Sequence, residues 1–162
     1  MKQRELTIRR ARPEDFLKVD ELKAVLLQYH AQHRPDLLQS EGSGYSLEEY
    51  REFLAEEDNI ALLAEVDGEI AGLCFTIRKD EPEGPVFKAR RAYRVEDLAV
   101  FPQYRRQGVA SALLEETRRI TEVLGADYLK LQVWEFNEGA RALYEKAGFT
   151  TRARNLEYRF PR

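Results

Sequence analysis

A chain of 162 residues is the size of one compact domain with one core, and no linker or shift in composition divides it. Its 26 basic and 29 acidic residues leave a net charge of −3, which excludes a duplex-DNA binder working through a broad basic face and suits small or cationic partners better. The single cysteine, Cys74, stands in an apolar run without a disulfide partner, the opening residues MKQRELTIRR lack an apolar signal segment, and no later window is long enough for a membrane span, so the expectation is a soluble, cytoplasmic protein.

Leu6 and Ile8 alternate with polar neighbours and predict a first strand. Pro13, Glu14 and Asp15 then open a helix running from Asp15 to His30, with Phe16, Val19, Leu22, Val25 and Leu26 as its core stripe. Pro35, Gly42 and Gly44 predict a loop from Ala31 to Tyr45. Ser46 and Glu49 have the capping-box spacing that starts a second, short helix, and loop and helix together are placed to form a lid. The runs Asn59 to Glu65 and Glu69 to Arg78, joined through Val66-Asp67-Gly68, predict an antiparallel hairpin.

Pro82, Gly84 and Pro85 keep Lys79 to Arg91 irregular, ahead of a strand from Ala92 to Val100. Helical spacing resumes at Val109, continues through Leu113, Leu114 and Ile120, and stops at Gly125. Tyr128 to Val133 predicts another strand, Asn137 to Ala147 a helix closed by Gly148, and the tail is expected to add one more strand. Strand, helix, strand implies a parallel crossover, whereas the first half is antiparallel. The predicted fold is therefore α/β (α+β): a mixed, mostly antiparallel sheet with helices on both faces, as one domain over residues 1–162.

The stretch Arg94 to Glu116, RVEDLAVFPQYRRQGVASALLEE, joins an apolar strand to a helix through a proline and a glycine turn. The first N–H groups of a helix have no intrahelical partner and the helix dipole is positive there, so phosphate is attracted to that turn without a special side chain. Gly108 permits close approach, and Ala110 is the next smallest choice. The segment Arg105-Arg106-Gln107-Gly108-Val109-Ala110 resembles the Arg/Gln-x-x-Gly-x-Gly/Ala signature of the GNAT superfamily of N-acetyltransferases. The resemblance extends through Leu131 to Phe149, LQVWEFNEGARALYEKAGF, which looks like the family's next strand, an Asn-capped helix carrying a Tyr, and a closing Gly-Phe.

The resemblance implies acetyl-CoA as cosubstrate, with no metal. Main-chain N–H groups from Arg106 through Gln107, Gly108, Val109 and Ala110 to Ser111 would cradle the pyrophosphate, with charge from Arg105 or Arg106. The pantetheine arm would lie beside Leu98, Ala99 and Val100 as a false extra strand, and a main-chain N–H there would stabilise charge developing on the thioester oxygen. In the family pattern Asn137 caps its helix and touches the cofactor, and Tyr144 is both cofactor contact and general acid for the departing thiolate.

An amine acceptor of the lysine type is mostly protonated at neutral pH, since its pKa lies near 10.4, so a base must remove a proton. Glu96 and Asp97 are adjacent on the strand before the cofactor contacts, and regular alternation would point them to opposite faces, leaving one to meet the substrate. Glu96 is the first choice, with Asp97 or a water chain as alternatives. Val95-Glu96-Asp97-Leu98 looks like the strand of the diamine acetyltransferases, in which the Glu holds the base position. Branches acting on protein N-termini carry a carboxylate on the next strand, where this chain has Gln132.

Glu41, Glu48, Glu49, Glu52, Glu56, Glu57 and Asp58 crowd the first-half loop and helix, either as a solvated face or as an attractor of cationic amines. His30 and His33 lack the further ligands that a metal site needs. Trp134 and Phe136 belong either to the core or to an acceptor pocket. The function expected is direct transfer of acetyl from acetyl-CoA to a primary amine of a small molecule or peptide, with homodimers a family tendency and neither nucleic acid nor membrane as a partner. The alternative is a noncatalytic acyl-CoA-binding regulatory module.

Overall fold

The computed structural model describes residues 3–39 and 44–162. Glu41 of the acidic crowd, Gly42 of the expected loop, and Met1 and Lys2 of the opening stretch lie outside the described residues. The chain divides into two compact units, Met1–Gln132 and Val133–Arg162.

The first unit holds strands β1 (Leu6–Arg10), β2 (Ile60–Val66), β3 (Glu69–Arg78), β4 (Ala92–Val100) and β5 (Tyr128–Leu131), with helices α1 (Phe16–His33), α2 (Leu47–Ala55) and α3 (Val109–Val123). The strands lie in sequence order in one sheet, antiparallel except for the β4–β5 pair, which α3 connects as a parallel crossover. The mixed sheet read from the sequence is therefore the one observed.

Local chemistry explains most boundaries. Asp67 and Gly68 have φ of 51° and 82°, the paired positive values that a two-residue hairpin turn requires, so β2 runs on through Val66 to meet them. Ser46 accepts from the Glu49 N–H at 3.1 Å while Glu49 accepts from the Ser46 N–H at 2.8 Å, fixing the start of α2. The first helix begins at Phe16 rather than Asp15, because the Asp15 carboxylate turns back onto the Arg12 N–H and the Arg9 guanidinium. It also runs three residues beyond His30, since nothing before Pro35 breaks it and the residue ahead of a proline is disfavoured in helix.

α1 and α2 cover one face of the sheet. Val19, Leu22 and Tyr50 pack there against Leu63, Leu73 and Phe75, all fully buried. Each such side chain contributes roughly 1.5–3 kcal/mol, so truncating Leu22 to Ala removes about 2–5 kcal/mol. Tyr50 stays buried because its hydroxyl donates to the Arg12 carbonyl at 2.7 Å. α3 covers the other face, where the Thr117 hydroxyl donates to the Leu113 carbonyl at 2.8 Å and touches the Cys74 sulfur at 3.4 Å.

The second unit contains α4 (Glu138–Lys146). Asn137 caps it, its Oδ1 accepting from the Ala140 N–H at 3.1 Å, and Gly148 closes it with φ of 97°. The strand expected in the tail is not formed: residues 150–162 carry no helix or strand, and Leu156, Tyr158 and Phe160 are exposed.

Candidate functional site

The site is built at the far end of β4. Asp97 sits opposite Phe75 and Val95 opposite Thr76, so Glu96 is an extra residue in β4 without a partner on β3. Such a bulge bends a strand and ends regular pairing. On the other side of β4 the ladder to β5 covers Ala92 to Val95 and stops at Val95–Leu131, immediately before the bulge. The β5 strand is accordingly shorter than the expected Tyr128–Val133, since beyond Leu131 it has no strand to pair with, and Gln132 falls past its end.

From Glu96 onward the β5-facing edge of β4 has no ladder partner among the described residues. The Phe101 N–H donates to the Ala71 carbonyl at 2.9 Å, which makes Phe101 and Ala71 a hydrogen-bonded pair. Antiparallel pairing alternates, so Ala99 also directs its main chain at β3, while the N–H and C=O groups of Leu98 and Val100 point to the open edge. Of the three residues proposed to receive an extended arm, Leu98 and Val100 offer main-chain bonds and Ala99 is buried in the sheet.

The turn into α3 lies just beyond. Arg106 has φ of 60° and Gly108 of 81°, both left-handed. The first main-chain bond of the helix runs from the Ala112 N–H to the Gly108 carbonyl, at 3.0 Å. The N–H groups of Arg106, Gln107, Gly108, Val109, Ala110 and Ser111 donate to no main-chain carbonyl among the described residues, which leaves an array of donors of the kind suited to an anion. Arg105 and Arg106 are exposed there. The Gln107 side chain is committed locally, donating to the Gln103 carbonyl and accepting from Arg4 at 2.7 Å, so its N–H rather than its amide is on offer. A Cβ on Gly72 would lie 2.8 Å from the Ala99 carbonyl oxygen and 3.1 Å from Val109 Cγ1; its absence lets the start of α3 settle against β3 and β4.

Three side chains meet beside the bulge. Lys23 Nζ lies 2.8 Å from Asp97 Oδ2 and 4.3 Å from the centre of the Tyr45 ring, and the Tyr45 hydroxyl reaches the same carboxylate oxygen at 3.4 Å. Burial drives the Tyr45 phenol well above its ordinary pKa, and the charges of Asp97 and Glu96 add to the rise. Glu96 has no partner opposite it on β3, so the regular alternation that would set the two neighbouring carboxylates on opposite faces is broken at this point of β4. They differ in availability. The Asp97 side chain is 12% exposed and held by Lys23, whereas that of Glu96 is 31% exposed and paired with Arg94 at 2.6 Å. An exposed pair of that kind is worth only about 0–1 kcal/mol, so Glu96 can exchange Arg94 for another cation.

His30 is held below the ordinary histidine value, chiefly by burial, with Asp97 opposing. Burial pushes the Cys74 thiol up to about 11, which makes it a poor nucleophile. Glu48, Glu49, Glu52, Glu56, Glu57 and Asp58 are all exposed. In the second unit Tyr144 meets Phe149 edge to face at 5.8 Å, and Trp134 stacks on Phe136 at 5.7 Å.

Lys23, Tyr45, Arg94 and Gly72 were not singled out from the sequence. Two carried a signal: Lys23 falls four residues after Val19 on the apolar stripe of α1, and Gly72 interrupts an apolar strand.

A strand with a bulge and an open edge thus leads to a helix whose first N–H groups donate to no main-chain carbonyl among the described residues. The family model described as "Acetyltransferase (GNAT) family" matches residues 26–149, and the chain belongs to that family of acyltransferases. An N-alpha-acetyltransferase of Sulfurisphaera tokodaii is 34% identical over 106 residues, 60% of this chain and 60% of its own length. Thialysine N-epsilon-acetyltransferase of Bos taurus is 31% identical over 81 residues, 42% of this chain and 47% of its own. The chain thus matches about half to three fifths of the length of these curated relatives. A mutant of the BH1408 protein from Bacillus halodurans superposes with a TM-score of 0.91 over 96% of this chain and 99% of that one, at 22% identity, a likeness of fold.

Proposed function

We propose that this protein transfers the acetyl group of acetyl-CoA directly to a primary amine of a small molecule or a peptide. The observation that carries the reading is the continuity of one segment: Glu96 at the bulge, Leu98 and Val100 on the open edge, and the N–H groups from Arg106 to Ser111 at the start of α3, which have no main-chain acceptor among the described residues. Those donors suit a diphosphate, and an open strand edge suits the amides of a pantetheine arm. Bound acetyl-CoA supplies an activated acyl group as a thioester.

The residues of the chain then divide the work. Arg106 to Ser111 hold the diphosphate through main-chain N–H groups, with Arg105 and Arg106 adding charge. Leu98 and Val100 bond the arm. Glu96 accepts a proton from the acceptor's ammonium, directly or through water, leaving a neutral amine whose lone pair forms the C–N bond as the C–S bond breaks. The sulfur keeps the bonding electron pair and, by family resemblance, takes a proton from the Tyr144 hydroxyl; the surplus proton on the new amide nitrogen leaves to water, from which the phenol is reprotonated, and Asn137 is a further cofactor contact. The relatives' names, one an α-amine and one an ε-amine acetyltransferase, support a primary amine as acceptor. The single cysteine supports a reducing, cytoplasmic setting. A homodimer, the family tendency, is checked by light scattering.

The test is thiol release from acetyl-CoA with polyamines, amino acids, aminoglycosides and peptides with free N-termini, beside a titration with coenzyme A. Turnover with at least one amine is expected. Binding of coenzyme A without turnover would favour a noncatalytic acyl-CoA module, and no binding would remove the reading altogether.

A further inference from the structure

We propose that Lys23 sets acceptor specificity: its ammonium fills a carboxylate-and-aromatic cage beside Glu96, so the site offers an incoming amine one carboxylate rather than two and disfavours diamines. This inference rests on the transferase reading above and deepens it. Lys23 lies on the core-facing stripe of α1, where a charge is costly unless it is paired. Its Nζ is held by Asp97 Oδ2 at 2.8 Å and lies over the Tyr45 ring at 4.3 Å. Its stem is clamped by main chain, since a Cβ on Gly44 would fall 2.5 Å from Lys23 Cβ and 3.2 Å from Cγ.

An ammonium between a carboxylate and an aromatic face is the arrangement by which free cationic amines are recognised. Here the chain's own lysine takes that place. The cage adjoins the base, because Asp97 directly follows Glu96 on β4. A monoamine needs Glu96 alone. A diamine brings a second ammonium, which finds Asp97 already neutralised and meets the like charge of Lys23, a repulsive element of the kind that separates competing ligands.

The experiment compares 1-aminobutane with 1,4-diaminobutane on the full chain loaded with coenzyme A or acetyl-CoA, reading affinity by thermal shift and kcat/KM by thiol release. In Lys23→Met the diamine-to-monoamine ratio should rise about tenfold or more in both readouts, the value of one new charge-assisted hydrogen bond. In Lys23→Met/Asp97→Asn, which also removes the carboxylate charge, it should return to the wild-type ratio. Lys23→Gln, whose amide still donates to Asp97, gives the same reading should Lys23→Met fail to fold. An unchanged affinity ratio in a folded Lys23 variant overturns the inference even when thiol release proceeds. A shifted affinity ratio with no thiol release from any amine overturns the transferase reading and leaves the cage standing.

Discussion

Glu96 has no partner on β3, whereas its neighbour Asp97 sits squarely opposite Phe75. That difference of one register position separates a buried structural carboxylate from an available one. Asp97 neutralises Lys23 inside the fold, while Glu96 stands where β4 parts from β5, paired with the half-buried Arg94.

Glu96→Gln should therefore lower kcat/KM about 10²- to 10⁴-fold, the usual contribution of a general base, with little change in melting temperature. Asp97→Asn should act on stability instead, costing about 3 kcal/mol or more because Lys23 is left buried without its counter-charge. Denaturant melts and a pH profile of kcat/KM separate the two. Loss of turnover in a stably folded Asp97→Asn protein, with Glu96→Gln still active, would reverse the assignment of the base.

Gly108 and Gly68 supply a matched pair. Their φ angles are 81° and 82°, and a Cβ on either meets nothing within 4 Å. Alanine at each should cost a similar 1–3 kcal/mol, roughly, of backbone strain. Only Gly108→Ala should also weaken coenzyme A, because only there would the added methyl sit beside the N–H groups proposed to hold the diphosphate. Calorimetric titration of both variants is the check; equal affinities would show that the turn at Gly108 does not hold the ligand.

How much of this was legible in the sequence follows from the range of the forces involved. The hairpin turn at Asp67-Gly68, the Ser46–Glu49 cap, the Asn137 cap and the helix start at Gly108 rest on contacts within a few residues, and they were read nearly to the residue. The Glu96 bulge rests on how β3 meets β4 across an irregular connection, and alternation along a single strand carries no trace of it. The Lys23–Asp97 pair spans 74 positions. Tyr45 meets Asp97 across 52 positions of the chain, and residues 150–162 show that a strand-like pattern along a segment does not by itself make it pair.

Asp15 ties the start of α1 to β1. Its two oxygens accept from Arg9 at 2.8 and 2.9 Å and one also from the Arg12 N–H at 2.8 Å, and these contacts, Arg9 foremost, hold its carboxyl below the ordinary value. A carboxylate depressed in the fold stabilises it above the unfolded pKa of about 3.9, and that stabilisation is lost as pH falls through the folded value. Asp15→Asn should cost about 3 kcal/mol at neutral pH, and the gap to wild type should narrow steadily below about pH 4. Urea melts at several pH values measure it; a gap independent of pH would mean that packing, not charge, is what the substitution removes.

Tyr144 lies on α4, two turns after the Asn137 cap, with its ring edge against Phe149. Substitution by Phe keeps that aromatic contact and removes only the hydroxyl. If the phenol returns the proton to sulfur, Tyr144→Phe should lower kcat about a hundredfold while leaving the affinity for acetyl-CoA within about threefold, since a group that acts on the leaving atom contributes mainly in the transition state. The loss should shrink with acyl donors whose leaving thiol is more acidic, because a better leaving group needs less help from an acid. Steady-state kinetics with such a donor series distinguish this role from packing: a deficit of the same size for every donor, accompanied by a lower melting temperature, would assign Tyr144 to the core of its own unit instead.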